Sequence, residues 1–290
     1  MLTESQKSFF HENGYLVVHD VVSKALLDRL QTAFSSWVQE SRAHANAYGE
    51  TVDGRARFSV EPGHSAERPA LRRVNSPVEI SEAYLEAMRD SDVVTVIADL
   101  IGPNVKYHHS KVNSKMPGAA TNVKWHQDFP FTPHSNDDII TALLMVDEVT
   151  AQNGPLTVVP GSHKGPLHDL WHDGKFTGFV ADEVAAQCVP QGVQCIGPAG
   201  SVCLMHTRLL HASEANLSAE PRTLFIAVCT AEDAIPLCPN PIPSRFEGLV
   251  VHGEKTGVVR SKPYQLRLPE HPKGASFFEQ QAATAVQTMR

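Results

Sequence analysis

The sequence predicts a mainly β protein with flanking helices, because the spacing of its apolar residues changes near residue 104. Before that point apolar residues recur at helical spacing, as Leu26, Leu30 and Phe34 do. After it, strand-like segments follow one another with turn residues between them. These segments are residues 105–113, 123–128, 139–147, 155–159, 201–206 and 223–230. The succession resembles a double-stranded β-helix, the cupin-like jelly roll in which two sheets enclose a pocket.

Three helices and one short strand are predicted before residue 104. Thr3 can cap the first helix, Gly14 can end it, and Ser23 can cap the second. The apolar stripe of the second helix requires a sheet to cover it. We expect the helices at about residues 3–13, 24–42 and 79–101, and the strand at residues 15–18.

Residues 43–77 are predicted to form a loop, because they are rich in Gly, Pro, His and charged residues. In the core, the segment Ile139–Val146 is apolar on both faces. Such a pattern is typical of a central strand that a helix covers on one side.

Length and composition indicate one soluble domain that acts on a small molecule. The chain has 290 residues, of which 42% are apolar and 20% are charged, with a net charge of −7. We therefore expect no binding to nucleic acid or to an anionic membrane. No run of eighteen apolar residues and no signal-peptide core occur, so a cytoplasmic protein is predicted, either a monomer or a homodimer. Five cysteines without a Cys-x-x-Cys pair argue against a disulfide framework or a zinc ribbon.

The segment Val123–Phe131 carries half of a predicted metal site. His126 and Asp128 are two residues apart, so on a strand their side chains would project from the same face. His211 follows another strand-like segment and could supply a second imidazole. Two His and one carboxylate leave coordination positions for a cosubstrate and O2, which suits non-haem Fe(II). The predicted class is an oxygenase.

Arg222 strengthens this prediction. It lies eleven residues after His211, where a turn would return the chain as a neighbouring antiparallel strand. Its planar guanidinium can pair bidentately with a carboxylate, as a dicarboxylate cosubstrate chelating iron through its other end requires.

These motifs together resemble the iron and 2-oxoglutarate dependent dioxygenases, and specifically the phytanoyl-CoA dioxygenase (PhyH-like) family. Three further segments are similar to that family: the opening residues 2–18, the Asn-Gly…Pro-Gly-Ser-His segment at 153–163, and residues 109–113. The motifs occur in the expected order from residue 2 to about residue 230. After about residue 235 nothing resembles the family.

The resemblance implies a single domain over residues 1–290 and an iron-dependent reaction. A helical support would occupy about 1–103, the jelly roll about 104–232 and a C-terminal extension or lid about 233–290. Fe(II), 2-oxoglutarate and O2 are implied, with hydroxylation of a C–H bond and release of succinate and CO2. His126, Asp128 and His211 would be the iron ligands and the catalytic centre.

The remaining residues are assigned by the same resemblance. Arg222 would bind the distal carboxylate of 2-oxoglutarate, Ser213 and Asn113 would assist it, and Lys111 is an alternative cation for that carboxylate. Insertions such as 43–77 and 163–195 would form lids over the pocket mouth. The substrate contacts are expected from the residues themselves: His109, Arg72, Arg73 and Phe129. His109 would share the inward face of its strand with Lys111 and Asn113, and Arg72 and Arg73 lie where the loop meets residues 74–77.

Several histidines and two other functions remain as alternatives. His163 is expected to be structural, His108 to point away from the pocket, and His252-Gly253-Glu254 to be a chance repeat of the ligand spacing. A cupin-like zinc or nickel protein, hydrolytic or only ligand-binding, and a non-catalytic scaffold are the competing hypotheses. The first leaves Arg222 and Ser213 without a role, and the intact ligand set argues against the second.

Overall fold

The computed structural model describes residues 1–119 and 121–270. The α-helices are α1 (Glu4–Asn13), α2 (Lys24–Ser41), α3 (Glu82–Arg89), α4 (Asp92–Ile101) and α5 (Asp182–Cys188). The strands are β1 (Tyr15–Val18), β2 (Tyr48–Glu50), β3 (Ala56–Val60), β4 (Leu71–Asn75), β5 (Val105–Lys115), β6 (Val123–His126), β7 (Ile139–Met145), β8 (Leu156–Val158), β9 (Trp171–His172), β10 (Lys175–Phe176), β11 (Val193–Cys195), β12 (Val202–His206), β13 (His211–Ser213), β14 (Arg222–Ala231) and β15 (Val250–His252).

Two antiparallel sheets form the core. The major sheet has the order β1-β12-β7-β14-β5-β4-β3-β2, with β15 also paired to β5. The minor sheet has the order β11-β8-β13-β6, and β9 and β10 form a separate hairpin. Strands far apart in sequence are neighbours in both sheets, as in a jelly roll. The predicted fold class is confirmed.

Strand β7 is the central strand that its sequence predicts. All seven of its residues are buried. Ile140, Ala142 and Leu144 belong to the apolar core that also contains residues of the N-terminal helices. Leu143 and Met145 belong to a second cluster, between the sheets. The alternation shows that helices cover one face of the major sheet, while the other face is turned towards the minor sheet.

The first helix begins and ends where the caps predict. Thr3 and Gln6 form a reciprocal capping box, and Gly14 ends α1 with a φ of 79°. A Cβ atom on Gly14 would lie 2.4 Å from the Nδ1 atom of His163. Gly14 therefore permits both the left-handed turn and the close approach of that imidazole.

The prediction of a loop over residues 43–77 was wrong, because β2, β3 and β4 in this segment extend the major sheet. β4 pairs with β5, with Arg73 opposite Asn113. The segment is polar because it buries charge in pairs. Arg57, for example, is buried and forms a 2.8 Å ion pair with Glu79. Buried charged pairs interrupt the apolar alternation from which strands are predicted, so these strands could not be recognised in the sequence.

The single helix predicted over residues 79–101 is instead a 3-10 turn, Pro77–Glu79, followed by α3 and α4. The break falls at Ser91, whose hydroxyl accepts a hydrogen bond from the backbone N–H of Val93 and so caps α4. None of the described helices has both the length and the apolarity needed to cross a membrane.

Candidate metal centre and cosubstrate pocket

The two predicted imidazoles are neighbours across the minor sheet. His126 ends β6 and pairs in register with His211 at the start of β13. Asp128 lies beyond the end of β6 in a helical turn conformation, with φ −73° and ψ −32°. The expectation that His126 and Asp128 share a strand face was therefore wrong. The turn brings the carboxylate to the imidazoles instead.

The three side chains converge on one point. The Oδ1 atom of Asp128 lies 3.5 Å from the Nε2 atom of His126 and 3.5 Å from the Nε2 atom of His211. One ligand atom from each residue falls within 4.8 Å of the others. Among the described residues, these three form the one group of at least three His, Cys, Asp or Glu side chains with this spacing.

Backbone carbonyls fix the tautomer of both imidazoles. The Nδ1 atom of His126 lies 2.7 Å from the carbonyl oxygen of Lys124, and that of His211 lies 2.9 Å from the carbonyl oxygen of Leu209. A carbonyl oxygen only accepts hydrogen bonds, so each Nδ1 carries the proton and each Nε2 presents a lone pair. The hydroxyl of Thr141 donates to Oδ2 of Asp128 at 2.8 Å. Such outer hydrogen bonds are typical of metal ligands.

The charges of these residues also fit a divalent cation. Burial, together with the neighbouring His211, lowers the pKa of His126. Burial alone would raise the pKa of Asp128, but the two imidazoles outweigh it and hold that pKa well below its usual range. Neutral imidazoles and an ionised carboxylate are the forms that bind metal. Two nitrogen donors and one oxygen donor on one side of the site fit Fe(II).

A cavity of about 270 Å³ opens beside these ligands. One of its walls is the inner face of β5 and β14 in the major sheet. Every second residue of β5 from His109 to Lys115 lines it, as do Arg222 and alternate residues of β14. The metal ligands form part of the opposite wall, so the cavity lies between the two sheets.

Arg222 lies in this cavity next to Lys115, a basic residue that was not predicted from the sequence. Lys115 is its partner in register on β5, and the Nζ atom of Lys115 donates to the hydroxyl of Ser213 at 2.9 Å. Arg222 is 3% exposed and donates from Nη2 to the carbonyl of Gly154 at 2.8 Å. Its buried Nε atom has no hydrogen-bond partner among the described residues. An unsatisfied guanidinium donor is the group that a bound carboxylate would satisfy.

The pKa values at this end of the cavity reflect two crowded cations. Burial, with Arg222 nearby, lowers the pKa of Lys115 to about 6. Burial also lowers the pKa of Arg222 to about 10. A negatively charged group would relieve this unfavourable arrangement. The alternation along β5, in which every second residue from His109 to Lys115 is polar, is the sequence signal that could have identified Lys115.

Two residues assigned to the cosubstrate lie elsewhere in the cavity. The Oδ1 atom of Asn113 accepts a 3.0 Å hydrogen bond from Nε of Arg73, not from Arg222. Lys111 faces the metal side, and its charged neighbours are Arg73 and Asp128. Both residues line the cavity, but neither forms a hydrogen bond with Arg222 or Lys115 among the described residues.

Of the four residues assigned to the substrate, three line the cavity: His109, Arg72 and Arg73. Phe129 does not, because it is fully buried in a cluster with Ile139 and Val228. Phe131 lines the cavity in its place. No described residue of the expected lid 163–195 lines it, whereas residues 47–75 and the pair Pro241 and Ile242 do.

His108 does not line the cavity, but it is buried and not exposed to solvent. Across β14, Val228 pairs with His109 and Cys229 with Tyr107, so His108 is the extra residue of a β-bulge. The bulge buries His108 and brings its Nδ1 atom within 2.6 Å of the Nδ1 atom of His109. Arg72 occupies a similar bulge opposite β3, where Ser59 pairs with Arg73 and Val60 with Leu71.

His163 and His252 lie apart from the metal group. Nε2 of His163 lies 3.3 Å from the carbonyl oxygen of His11, as a structural residue would. Nδ1 of His252 lies 2.6 Å from the carbonyl oxygen of Pro103. Neither belongs to the group of possible metal ligands in the described part of the chain.

A jelly roll with two His and one carboxylate at the cavity defines the class of Fe(II) and 2-oxoglutarate dependent dioxygenases. The chain belongs to the phytanoyl-CoA dioxygenase (PhyH) family, whose sequence profile matches residues 10–224. It is an α-ketoglutarate-dependent dioxygenase, with Fe(II) as cofactor and 2-oxoglutarate as cosubstrate.

Two relatives illustrate the range of the family. A probable alpha-ketoglutarate-dependent hypophosphite dioxygenase of Stutzerimonas stutzeri is 34% identical over 234 residues, which cover 78% of this chain and 81% of that protein. The L-proline trans-4-hydroxylase of Streptomyces griseoviridis is 29% identical over 198 residues, which cover 61% of this chain and 72% of that protein.

Solved structures agree in fold. EctD from S. alaskensis, crystallised with 2-oxoglutarate and 5-hydroxyectoine, superposes with a TM-score of 0.64 at 23% identity, covering 93% of this chain and 88% of that one. The carbocyclase SnoK from nogalamycin biosynthesis gives a TM-score of 0.61 at 20% identity, covering 80% of this chain and 85% of that one.

Proposed function

We propose that the protein hydroxylates a C–H bond of a small molecule and couples this to oxidative decarboxylation of 2-oxoglutarate. One oxygen atom of O2 enters the substrate and the other enters succinate, with release of CO2. The observation that carries the proposal is that one cavity contains two binding sites. At the first, the imidazole lone pairs of His126 and His211 converge with the Asp128 carboxylate. At the second lies the guanidinium of Arg222, whose Nε atom has no hydrogen-bond partner among the described residues.

His126, Asp128 and His211 would hold the iron, which supplies O2 activation when it is bound. The protein's own groups prepare this site. The carbonyls of Lys124 and Leu209 hold the Nε2 lone pairs inward, and the hydroxyl of Thr141 orients the carboxylate. These hydrogen bonds come from the protein's own groups and would orient the three ligands for the metal.

Arg222, Lys115 and Ser213 would hold the distal carboxylate of 2-oxoglutarate. His211 and Ser213 are two residues apart on β13, a span of about 7 Å on an extended strand. A five-carbon dicarboxylate can bridge such a span with one end at the metal and the other at Arg222. This arrangement leaves the wall around His109, Lys111 and Arg73 for the substrate.

The substrate is expected to be small, because 2-oxoglutarate occupies part of a cavity of about 270 Å³. Ligand pockets commonly measure about 300–1,000 Å³, so this one is at the small end. A large acyl-CoA would not fit inside it. Oxidation of a P–H bond is a second candidate, favoured by the 34% identity to the probable hypophosphite dioxygenase.

The test is anaerobic addition of Fe(II) and 2-oxoglutarate to the purified protein. We expect the weak visible charge-transfer band of the iron chelate, and succinate and CO2 in equal amounts after air is admitted. A metal-dependent hydrolase or a ligand-binding relative would give neither signal. Absence of both the band and succinate from iron-loaded protein would refute the proposed reaction.

A further inference from the structure

The cavity carries far more positive than negative side chains. Its only acidic lining residue among those described is Asp128. Its basic lining residues are Arg55, Arg72, Arg73, Lys111, Lys115 and Arg222. This inference rests on the proposed function. In it, Asp128 would bind the iron cation, and Lys115 and Arg222 would bind the distal carboxylate of 2-oxoglutarate.

Two of the remaining cations have acidic partners. Arg55 forms an ion pair with Asp53 at 2.6 Å. Arg72 is buried, and its Nη1 atom lies 3.7 Å from a carboxylate oxygen of Glu61, which is also buried. These two arginines are held in the cavity wall by groups of the protein itself. The other two basic lining residues are Lys111 and Arg73, which lie on the paired strands β5 and β4.

The sheet register places Lys111 close to the metal and the cosubstrate cations far from it. Thr141, which binds Asp128, pairs with Val228, and Val228 pairs with His109. The Asp128 carboxylate therefore lies near the level of His109 on β5, and a metal bound by it would lie there too. On the inward face of β5, Lys111 is the next residue, whereas Lys115 is three inward positions away.

Lys111 has charge but no partner for it. Among residues 1–119 and 121–270 it forms no hydrogen bond and no ion pair. Burial, and after it the charge of Arg73, lowers the pKa of Lys111 to about 8, although the charge of Asp128 opposes this shift. Arg73 lies diagonally across from it on β4, directly opposite Asn113. Asn113 accepts a hydrogen bond from the Nε atom of Arg73, which orients the guanidinium. Two cations side by side in a largely buried wall form a site for an anion.

We propose that the substrate is a small anion, a carboxylate or a phosphorus oxyanion, whose negative charge is bound by Lys111 and Arg73. Lys111 thus belongs to the substrate side of the site and not to the cosubstrate clamp. Binding at this position would hold the rest of the molecule next to the metal. The same contact would reject neutral analogues, because they leave the half-buried ammonium of Lys111 without a negative charge beside it.

The experiment measures binding by calorimetry under anaerobic conditions, with protein loaded with Fe(II) and saturated with 2-oxoglutarate. Saturating 2-oxoglutarate occupies Arg222 and Lys115. An added anion can then bind only at the other end of the cavity, beside Lys111 and Arg73. The probes are carboxylates of two to five carbons, each paired with its neutral amide, and phosphite and methylphosphonate as phosphorus oxyanions. Comparison of the carboxylates with the phosphorus oxyanions shows which of the two kinds of anion the site prefers.

We expect at least one anion to bind tenfold or more tightly than the neutral amides. Lys111→Met should remove most of this preference and change the dissociation constant of 2-oxoglutarate less than twofold. Lys111→Arg, which keeps the charge, should restore part of it. Lys106→Met is the matched control, because Lys106 lies on the same strand outside the cavity lining and donates to the carbonyl of Ala234. It should change neither constant.

Equal binding of the anions and the neutral amides overturns the inference. So does a loss of 2-oxoglutarate affinity in Lys111→Met as large as the loss of anion affinity, since that places Lys111 at the cosubstrate end. Failure of the proposed function is seen separately, in the wild-type protein, as absence of the iron chelate band or of succinate. Anion selectivity that depends on Lys111 would support the inference even in that case.

Discussion

At the scale of single residues, the metal site depends on a few hydrogen bonds that orient its ligands. Each imidazole is held through Nδ1 by a carbonyl two residues before it, at Lys124 for His126 and at Leu209 for His211. The sequence could indicate the ligands from their spacing, but not these orientations, because they depend on the local path of the backbone.

Asp128→Ala removes the anionic protein ligand and should abolish turnover. We expect weaker Fe(II) binding and succinate formation of no more than a few per cent of the wild-type rate. The fold should survive, because the carboxylate lies in the cavity and contributes little packing. Metal content, succinate formation and thermal unfolding measure these three effects. Substantial succinate formation by the variant would mean that the metal is held elsewhere.

Arg222→Lys keeps a positive charge but loses the planar pair of donors. The expected result is a raised apparent Michaelis constant for 2-oxoglutarate, equivalent to about 1–3 kcal/mol for a charge-assisted hydrogen bond. Iron binding should not change, because no metal ligand is altered. An unchanged constant would show that another cation, with Lys115 nearest, holds the distal carboxylate.

Lys115 should take up a proton when 2-oxoglutarate binds. Its pKa of about 6 in the unliganded cavity leaves the amine mostly neutral at pH 7.5. A bound carboxylate favours the charged form and raises this pKa, so protonation accompanies binding above pH 6 and decreases below it. Calorimetry in two buffers with different ionisation enthalpies measures the uptake. Identical heats in both buffers, or uptake that persists in Lys115→Met, would contradict the prediction.

At the scale of elements, the sequence predicted regular strands well and irregular ones poorly. β7 and β14 are recognisable because each is a continuous apolar run, as expected of strands that are buried on both faces. The β-bulges at Arg72 and His108 leave no such signal. Each adds one residue to a strand and reorients adjacent side chains, and both lie beside the cavity. The short β13 was also missed, since three residues are too few to show a period.

Gly154 should be essential to the position of Arg222. It has a φ of +77°, and a Cβ atom there would lie 2.5 Å from the carbonyl oxygen of Glu214. Its own carbonyl accepts the hydrogen bond from Arg222. Gly154→Ala must shift this loop, so we expect a loss of about 1–3 kcal/mol of stability and a raised Michaelis constant for 2-oxoglutarate.

The control for this variant is Gly174→Ala. Gly174 also has a φ of +77°, but nothing lies within 4 Å of an added Cβ atom. It should lose a similar amount of stability through backbone strain and keep the wild-type Michaelis constant. If both variants alter that constant equally, the contact between Gly154 and Arg222 does not position the cosubstrate.

At the scale of the whole molecule, the segment after residue 232 is joined to the jelly roll by charge. Lys262 and Arg260 form ion pairs with Asp137 and Asp138, which immediately precede β7. The same segment brings Pro241 and Ile242 to the cavity. This segment showed no resemblance to the family. Its contribution to the cavity wall could not be predicted, because Lys262 and its partner Asp137 are 125 residues apart and leave no local sequence pattern. The single domain and the oligomeric state stay predictions.

Asp137 should make this junction dependent on pH. Burial alone would raise its pKa, but hydrogen bonds from Lys262 and Arg208 outweigh it and lower the pKa to about 2. A carboxyl group with a lowered pKa stabilises the fold above its unfolded value of 3.8, and this contribution is lost as the pH falls towards 2. The shift corresponds to about 2 kcal/mol.

Asp137→Asn should therefore lower the free energy of unfolding by about 2 kcal/mol at pH 7. The difference from the wild type should shrink as the pH falls from 4 towards 2, because the wild-type carboxyl group then becomes neutral as well. Denaturant unfolding across this range measures both effects. Asp173→Asn, in the exposed turn between β9 and β10, is the control and should not change stability in this way. A difference that stays constant down to pH 2 would show that the side chain acts through shape and not through charge.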